Sequence, residues 1–260
     1  MSNGQPPPLL RADRLCRAFG GIVAVDEVTL EIAAGGITGL IGPNGAGKTT
    51  LFNLVAGGLA PSSGTLWLDG RRIDGMRPDR ICGQGLGRTF QIPRPFARMT
   101  VLENVMLARH GQSGERFWAA WLRPGTVALE ERRNRDRARH WIEFVGLGRL
   151  AGAPAASLSG GQRKLLELAR VLAQAPKLIL LDEPGAGVNP QLLELIMAKV
   201  IELNRQGVTF LIIEHNMDLV TALCDRVLVM AGGRLLTDGT PARVRADPRV
   251  IEAYLGGIAA

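Results

Sequence analysis

Apolar residues along this chain follow two different periods, and the changes between them outline its architecture. Over residues 11–31 apolar and polar positions alternate, with Ile22, Val23, Val25, Val28 and Leu30 in the apolar set, Ile32 just beyond, and Gly20-Gly21 in the middle. A period of two, rich in β-branched residues and broken by a glycine pair, predicts antiparallel strands around a turn. Thr65-Leu66-Trp67-Leu68, closed by Asp69-Gly70, predicts another strand and turn. Residues 37–41 form a short apolar run of buried-strand length, and a helical pattern begins at Lys48.

Beyond Gln91 the spacing becomes helical. Residues 101–109 and 130–145 carry apolar positions at helical intervals, joined by a looser Gly-, Trp- and Pro-containing stretch over 111–125. From Leu178 onward short apolar runs (178–181, 208–213, 227–230) alternate with helical ones (191–204, 217–223). Such alternation is the pattern of βαβ units and a mainly parallel sheet. The expectation is an α/β fold with a parallel-sheet core, a small antiparallel sheet from the N-terminal segments, and a helical insertion near 92–157. No internal repeat is visible.

Composition narrows the classes. At 260 residues and 46% hydrophobic, the chain can bury a sizeable core as one large domain or a domain with a subdomain. No apolar run approaches the ~18 residues a membrane-spanning helix needs. Residues 1–8 are polar and then Pro-rich without a signal-peptide pattern, so a flexible tail in a cytoplasmic protein is expected. Cys16, Cys82 and Cys224 are isolated, which fits a reduced compartment and buried structural thiols. A net charge of +7 raises the question of nucleic acid. The basic residues are mostly arginine spread along the whole chain, and the densest run, Arg132 to Arg139 behind Glu130-Glu131, reads as a solvated helix face. No nucleic-acid partner is expected.

Three short segments carry chemistry. Gly42-Pro43-Asn44-Gly45-Ala46-Gly47-Lys48-Thr49 matches GxxxxGK[ST] directly after a strand and before a helix. Its glycines permit a tight turn whose N–H groups face phosphates, at a helix end that favours anions. Lys48 would reach the β- and γ-phosphates, the Thr49 hydroxyl would ligate Mg²⁺, and Thr50 adds a phosphate hydrogen bond. Residues 178–181 run into Asp182-Glu183, two carboxylates at the end of a buried strand. There Asp182 suits the Mg²⁺ side and Glu183 suits polarising the attacking water. A helix N-cap ahead of Pro184 is the structural alternative. Leu158-Ser159-Gly160-Gly161-Gln162 opens a further helix and offers a second anion site, with Ser159 and the N–H groups of Gly160 and Gly161. One chain has no obvious use for two such sites on its own nucleotide. A nucleotide shared between two subunits follows.

With these residues the chain resembles the nucleotide-binding subunits of ABC transporters, over nearly its whole length. The resemblance implies a P-loop NTPase (RecA-like) core over residues 9–91 and 158–260, with the N-terminal β subdomain, and a helical subdomain over 92–157. Leu158 to Gln162 is that family's signature motif, whose Ser159, Gly160, Gly161 and Gln162 would meet ATP held by a second subunit. Gln91 matches the glutamine that senses Mg²⁺ and water, and His215 the switch histidine at the γ-phosphate. Phe19 fits the aromatic that stacks on adenine, with a core phenylalanine as the alternative, and Val25 is expected among the nucleotide-binding residues. Ala186-Gly187-Val188-Asn189 stands at the family's D-loop with Asn189 where Asp is more usual.

Finer segments are similar to the branched-chain amino acid import group and, within it, to the larger of two ATPase subunits. They are Gly87-Arg88-Thr89-Phe90-Gln91, Met99 to Val105, Asp182 to Pro190, Ile213-Glu214-His215-Asn216-Met217, Gly239-Thr240-Pro241 and Tyr254-Leu255-Gly256. That likeness implies ATP and Mg²⁺, a head-to-tail dimer with a non-identical ATPase subunit, membrane permease subunits and, indirectly, a solute-binding protein. The chain would then sit peripherally on the cytoplasmic face of the membrane. Urea, amide and lipopolysaccharide-export ATPases share parts of these segments and are the nearest alternatives. A soluble ABC ATPase acting on ribosomes or DNA is the alternative of another class.

Overall fold

The computed structural model describes residues 7–89, 95–109 and 124–256. The chain divides into two compact units, one of Met1–Arg88, Lys177–Pro184 and Val200–Ala260, the other of Thr89–Pro176 and Gly185–Lys199.

The first unit holds two sheets. Its strands are β1 (Leu10–Phe19), β2 (Ile22–Ile32), β3 (Ile37–Ile41), β4 (Ser63–Leu68), β5 (Arg71–Arg72), β6 (Leu86–Arg88), β7 (Leu178–Asp182), β8 (Thr209–Ile213), β9 (Arg226–Ala231) and β10 (Arg234–Gly239). One sheet, in the order β2-β1-β4-β5, is antiparallel throughout. β1 and β2 pair around Gly20-Gly21 with register shifts near Arg14 and Glu27, both left-handed at φ 45° and 48°. The other sheet runs β10-β9-β3-β8-β7-β6, and every pairing from β9 to β6 is parallel.

The two sheets differ because their patterns differ. β3, β7 and β8 are buried at every position, as strands covered on both faces must be. β1 alternates at its start, one face in the core and one toward water. The antiparallel edge strand β10 was not among the predicted elements. After its first residue, which is exposed, its positions are all partly exposed, so no alternation marks it.

The first unit's core combines side chains from both sheets with the helix Lys48–Val55, which buries Leu51, Phe52, Leu54 and Val55. Phe52 is wholly enclosed, and truncating a buried phenylalanine costs about 3–5 kcal/mol. Of the cysteines, Cys224 is buried, while Cys16 and Cys82 are partly exposed, which corrects the expectation of three buried thiols. Burial still pushes the Cys82 thiol up to about 11. Burial together with the Asp225 and Glu214 carboxylates pushes Cys224 up to about 12. Neither is a nucleophilic thiolate near neutral pH.

The second unit is helical. Thr100 and Glu103 close a capping box on the helix Val101–Leu107. Buried Asn104 accepts from the Phe96 N–H at 2.8 Å and donates to the Phe96 and Thr100 carbonyls, which fixes the approach to that helix. The helix Pro124–Phe144 buries Asn134 and Ala138 and leaves Arg132, Arg133, Arg135, Arg137 and Arg139 exposed, so the arginine run is a solvated face. The helix Gly160–Leu172 buries Leu165, Leu166, Leu168, Ala169, Val171 and Leu172 along one side.

Candidate functional site

In the parallel sheet β3, β8, β7 and β6 lie side by side, so their C-terminal ends share one edge. On that edge the sequence delivers Gly42 after β3, Glu214-His215 after β8, Asp182-Glu183 at β7 and Arg88 at β6. Open α/β sheets bind ligands at such an edge, because helix N-termini and loops converge there.

The turn after β3 can be made only with glycine. Gly42, Gly45 and Gly47 have φ of 148°, 77° and 95°. A Cβ on Gly42 would lie 2.1 Å from the Met230 carbonyl oxygen, and one on Gly47 would lie 2.2 Å from that of Ala24. The turn is therefore wedged against β9 and β2, and its backbone is set before any ligand arrives. Gly47 is the N-cap of the helix Lys48–Val55, with no side-chain cap bond and no acidic residue in the first turn. The helix thus opens with N–H groups that its own side chains leave for an anion. The Lys48 ammonium folds back onto the loop, with Nζ donating to the Gly42 and Pro43 carbonyls at 2.7 and 2.9 Å. Burial pulls its pKa down, and the Glu183 carboxylate opposes that shift. Thr49 and Asn44 are exposed and Thr50 partly so.

Asp182 is 9% exposed and pairs with Arg88 at 3.2 Å. Burial raises its pKa, with the Glu183 charge adding and the Arg88 guanidinium opposing. Arg88 also donates to Asn53 Oδ1 at 2.7 Å, which ties β6 to the helix Lys48–Val55. Glu183 is left-handed at φ 47°, and its N–H donates to the Ile213 carbonyl at 3.1 Å. Such a backbone costs a non-glycine residue about 1–2 kcal/mol, and strain of this kind collects at functional sites. The helix-cap alternative for Asp182 does not apply, because it ends its strand paired with Arg88.

His215 is exposed, and buried Glu214 builds its turn by accepting from the N–H groups of His215 and Asn216 at 3.0 and 3.3 Å. Asn216 caps the helix Met217–Leu223. Phe19 is 44% exposed with the Arg17 guanidinium 4.6 Å over its ring, which removes the core alternative. Val25 is fully buried in the core, so its side chain has no face to offer a ligand, contrary to expectation. Gln91 lies outside the described residues.

Sequence reasoning missed Arg88, Asn53, Glu214 and Tyr254 as supports. The signal for Arg88 and Glu214 was present, as a charged residue at the end of an apolar strand. Tyr254 had no such signal. Its hydroxyl is enclosed beside the Gly42 backbone; burial raises its pKa, and hydrogen bonding to that backbone opposes the shift.

The second unit carries the other predicted turn. Ser159 caps the helix Gly160–Leu172 by accepting from the Gln162 N–H at 3.2 Å, and the Gln162 side chain accepts from the Ser159 N–H at 2.9 Å. This capping box closes the turn on itself. Asn189 Oδ1 accepts from the Leu192 N–H at 2.8 Å, a cap that aspartate makes equally well.

Residues 25–186 match the family described as ABC transporter, and residues 234–260 match that described as branched-chain amino acid ATP-binding cassette transporter. The chain is similar to the high-affinity branched-chain amino acid transport ATP-binding protein BraF of Pseudomonas aeruginosa. The two are 40% identical over 250 residues, covering 96% of this chain and 98% of that one. Among solved structures it is similar to the ADP conformation of an ATP-binding cassette of an ABC transporter, with a TM-score of 0.80 and 36% identity, covering 96% of this chain and all of that one. It is also similar to a dimeric post-hydrolysis cassette bound to ADP and Pi, with a TM-score of 0.73 and 25% identity, covering 89% and 98%.

Proposed function

The chain belongs to the ABC transporter family of ATP-binding cassettes, and from that premise we propose that it hydrolyses ATP to drive uptake of branched-chain amino acids through a membrane permease. The observation that carries this reading is the sheet edge, where one row of parallel strand ends holds a preformed phosphate turn, a paired aspartate, a strained glutamate and an exposed histidine.

The chain's residues divide the work as follows. The N–H groups of residues 45–49 and the dipole of the helix Lys48–Val55 hold the β-phosphate, as helix N-termini hold anions. Lys48 exchanges the Gly42 and Pro43 carbonyls for phosphate oxygens. This exchange needs no backbone movement, because the turn is already set, and phosphate charge favours the ammonium that burial disfavours. Phe19 offers its exposed ring to the adenine. Glu183 accepts the proton of the attacking water, and His215 donates to the γ-phosphate from the turn that Glu214 builds.

The Thr49 hydroxyl and the Asp182 carboxylate are hard oxygen donors that suit Mg²⁺, with Gln91 as a further ligand, and the ion when bound neutralises phosphate charge. Ser159, Gly160, Gly161 and Gln162 serve a nucleotide held by a second, non-identical ATPase subunit in a head-to-tail dimer. A turn already closed by its own cap gains little from binding an anion alone, which supports its use in an assembly. No described helix is long and apolar enough to cross a membrane. The chain is read as a peripheral subunit on the cytoplasmic face, beneath permease subunits supplied by a solute-binding protein.

Replacing Glu183 with Gln tests the reading. General-base catalysis supplies about 10²- to 10⁴-fold, so turnover is expected to fall by that factor while ATP still binds. Uptake of radiolabelled leucine by cells carrying this variant should fall with it. Wild-type turnover in the variant would overturn the base, and wild-type leucine uptake with loss of another solute would overturn the substrate class.

A further inference from the structure

Lys164 is an unexpected residue for its place. It stands in the first turns of the helix Gly160–Leu172, whose N-terminal end disfavours cations, and that helix has no acidic residue in its first turn. Its ammonium is carried off the helix, with Nζ donating to the Ala186 carbonyl at 2.5 Å. A charge-assisted bond to a backbone oxygen is about twice as strong as a neutral one.

Ala186 belongs to a segment that turns tightly over residues 184–187, with Gly187 left-handed at φ 69°, and runs on to Asn189. The far end of that segment is held as well. Asn189 caps the N–H of Leu192, and the Leu192 side chain fills the space beside Gly161, where a Cβ would lie 2.1 Å from its Cδ2. The helix that opens on Ser159 therefore grips the segment twice, through Lys164 at its start and through Gly161 against Leu192 just past its end. Only Pro184 and Gly185 separate Ala186 from Glu183 in the chain, and proline has a fixed φ. Displacement of the Ser159 turn is thus passed through Lys164 to the segment that directly follows the catalytic carboxylate.

We propose that Lys164 is a positioning residue that couples the seating of the Ser159 turn to the placement of Glu183. The proposal rests on the reading of Glu183 as the base. It makes hydrolysis conditional on an occupied signature turn without requiring any change in how the chain holds its own nucleotide.

The test compares Lys164→Met and Lys164→Arg in the full chain assembled with its partner ATPase subunit, with Glu183→Gln alongside. In Lys164→Met, kcat is expected to fall roughly tenfold or more while KM for ATP stays within about twofold, the split of a group that acts on the chemical step. Amide hydrogen exchange over residues 185–189 should speed up, and Lys164→Arg should restore both. Unchanged exchange in Lys164→Met would overturn the clamp, and faster exchange with wild-type kcat would overturn the coupling to Glu183. If Glu183→Gln itself turns over normally, the base assignment fails instead, which separates the two claims. Should Lys164→Met not fold, Leu192→Ala opens the other side of the grip and is read by the same outcomes.

Discussion

The two glycine turns of this chain use the same ingredients and are left in opposite states. Each turn opens a helix, the first at Gly47 and the second at Ser159. The first has no side-chain cap, left-handed glycines pressed against neighbouring backbone, and a lysine waiting on its own carbonyls. The second has its Ser159 and Gln162 N–H groups taken up by its own glutamine and serine side chains, and Gly160 and Gly161 are not left-handed. A turn with unclaimed donors gains a full set of hydrogen bonds on meeting a phosphate. In the capped turn the Ser159 hydroxyl and the Gln162 N–H must first give up the bond they already share. On the function proposed above, the first would bind a nucleotide on its own and the second would complete a site organised elsewhere.

The sharpest break in that comparison is Gly47→Ala. The added Cβ meets the Ala24 carbonyl in a backbone that alanine resists, so the turn must shift. Since misplacement by about 1 Å can cost 10²-fold, nucleotide affinity is expected to drop by roughly that factor in a binding titration. The corresponding change at Gly160 faces open space and should leave that affinity unaltered.

A smaller effect is expected from Arg88→Met. Arg88 is the group that favours the Asp182 carboxylate against burial. Without it desolvation is unopposed, the Asp182 pKa rises further, and the acid limb of the pH–rate profile moves to higher pH. Arg88→Lys should move it less. An acid limb that does not shift in Arg88→Met would show that Asp182 does not govern it.

Much of this was legible in the sequence, and the parts that were not share a cause. β3, β7 and β8 announced themselves as continuous apolar runs, and the phosphate turn as a glycine spacing that no other residue can adopt at those φ values. β10 carries no alternation because most of it is half-covered, and the pattern had nothing to report. Phe19 and Val25 show the limit at the level of single side chains. Both stand in the same hairpin, yet the register of β1 against β2 turns one outward and buries the other, and bulges near Arg14 and Glu27 shift that register. Arg88, Glu214 and Lys164 act through partners distant in sequence or on backbone atoms, and a spacing rule does not list backbone atoms as partners.

The phosphate turn is ready for nucleotide, and the Ser159 turn is not. Titration of ATP into the isolated chain, its Lys48→Ala variant and its Ser159→Ala variant tests this most directly. Lys48→Ala is expected to weaken binding by roughly tenfold or more, the loss of one charge-assisted contact of about 1.5–3 kcal/mol, while Ser159→Ala keeps wild-type affinity. Equal losses in the two variants would contradict the account.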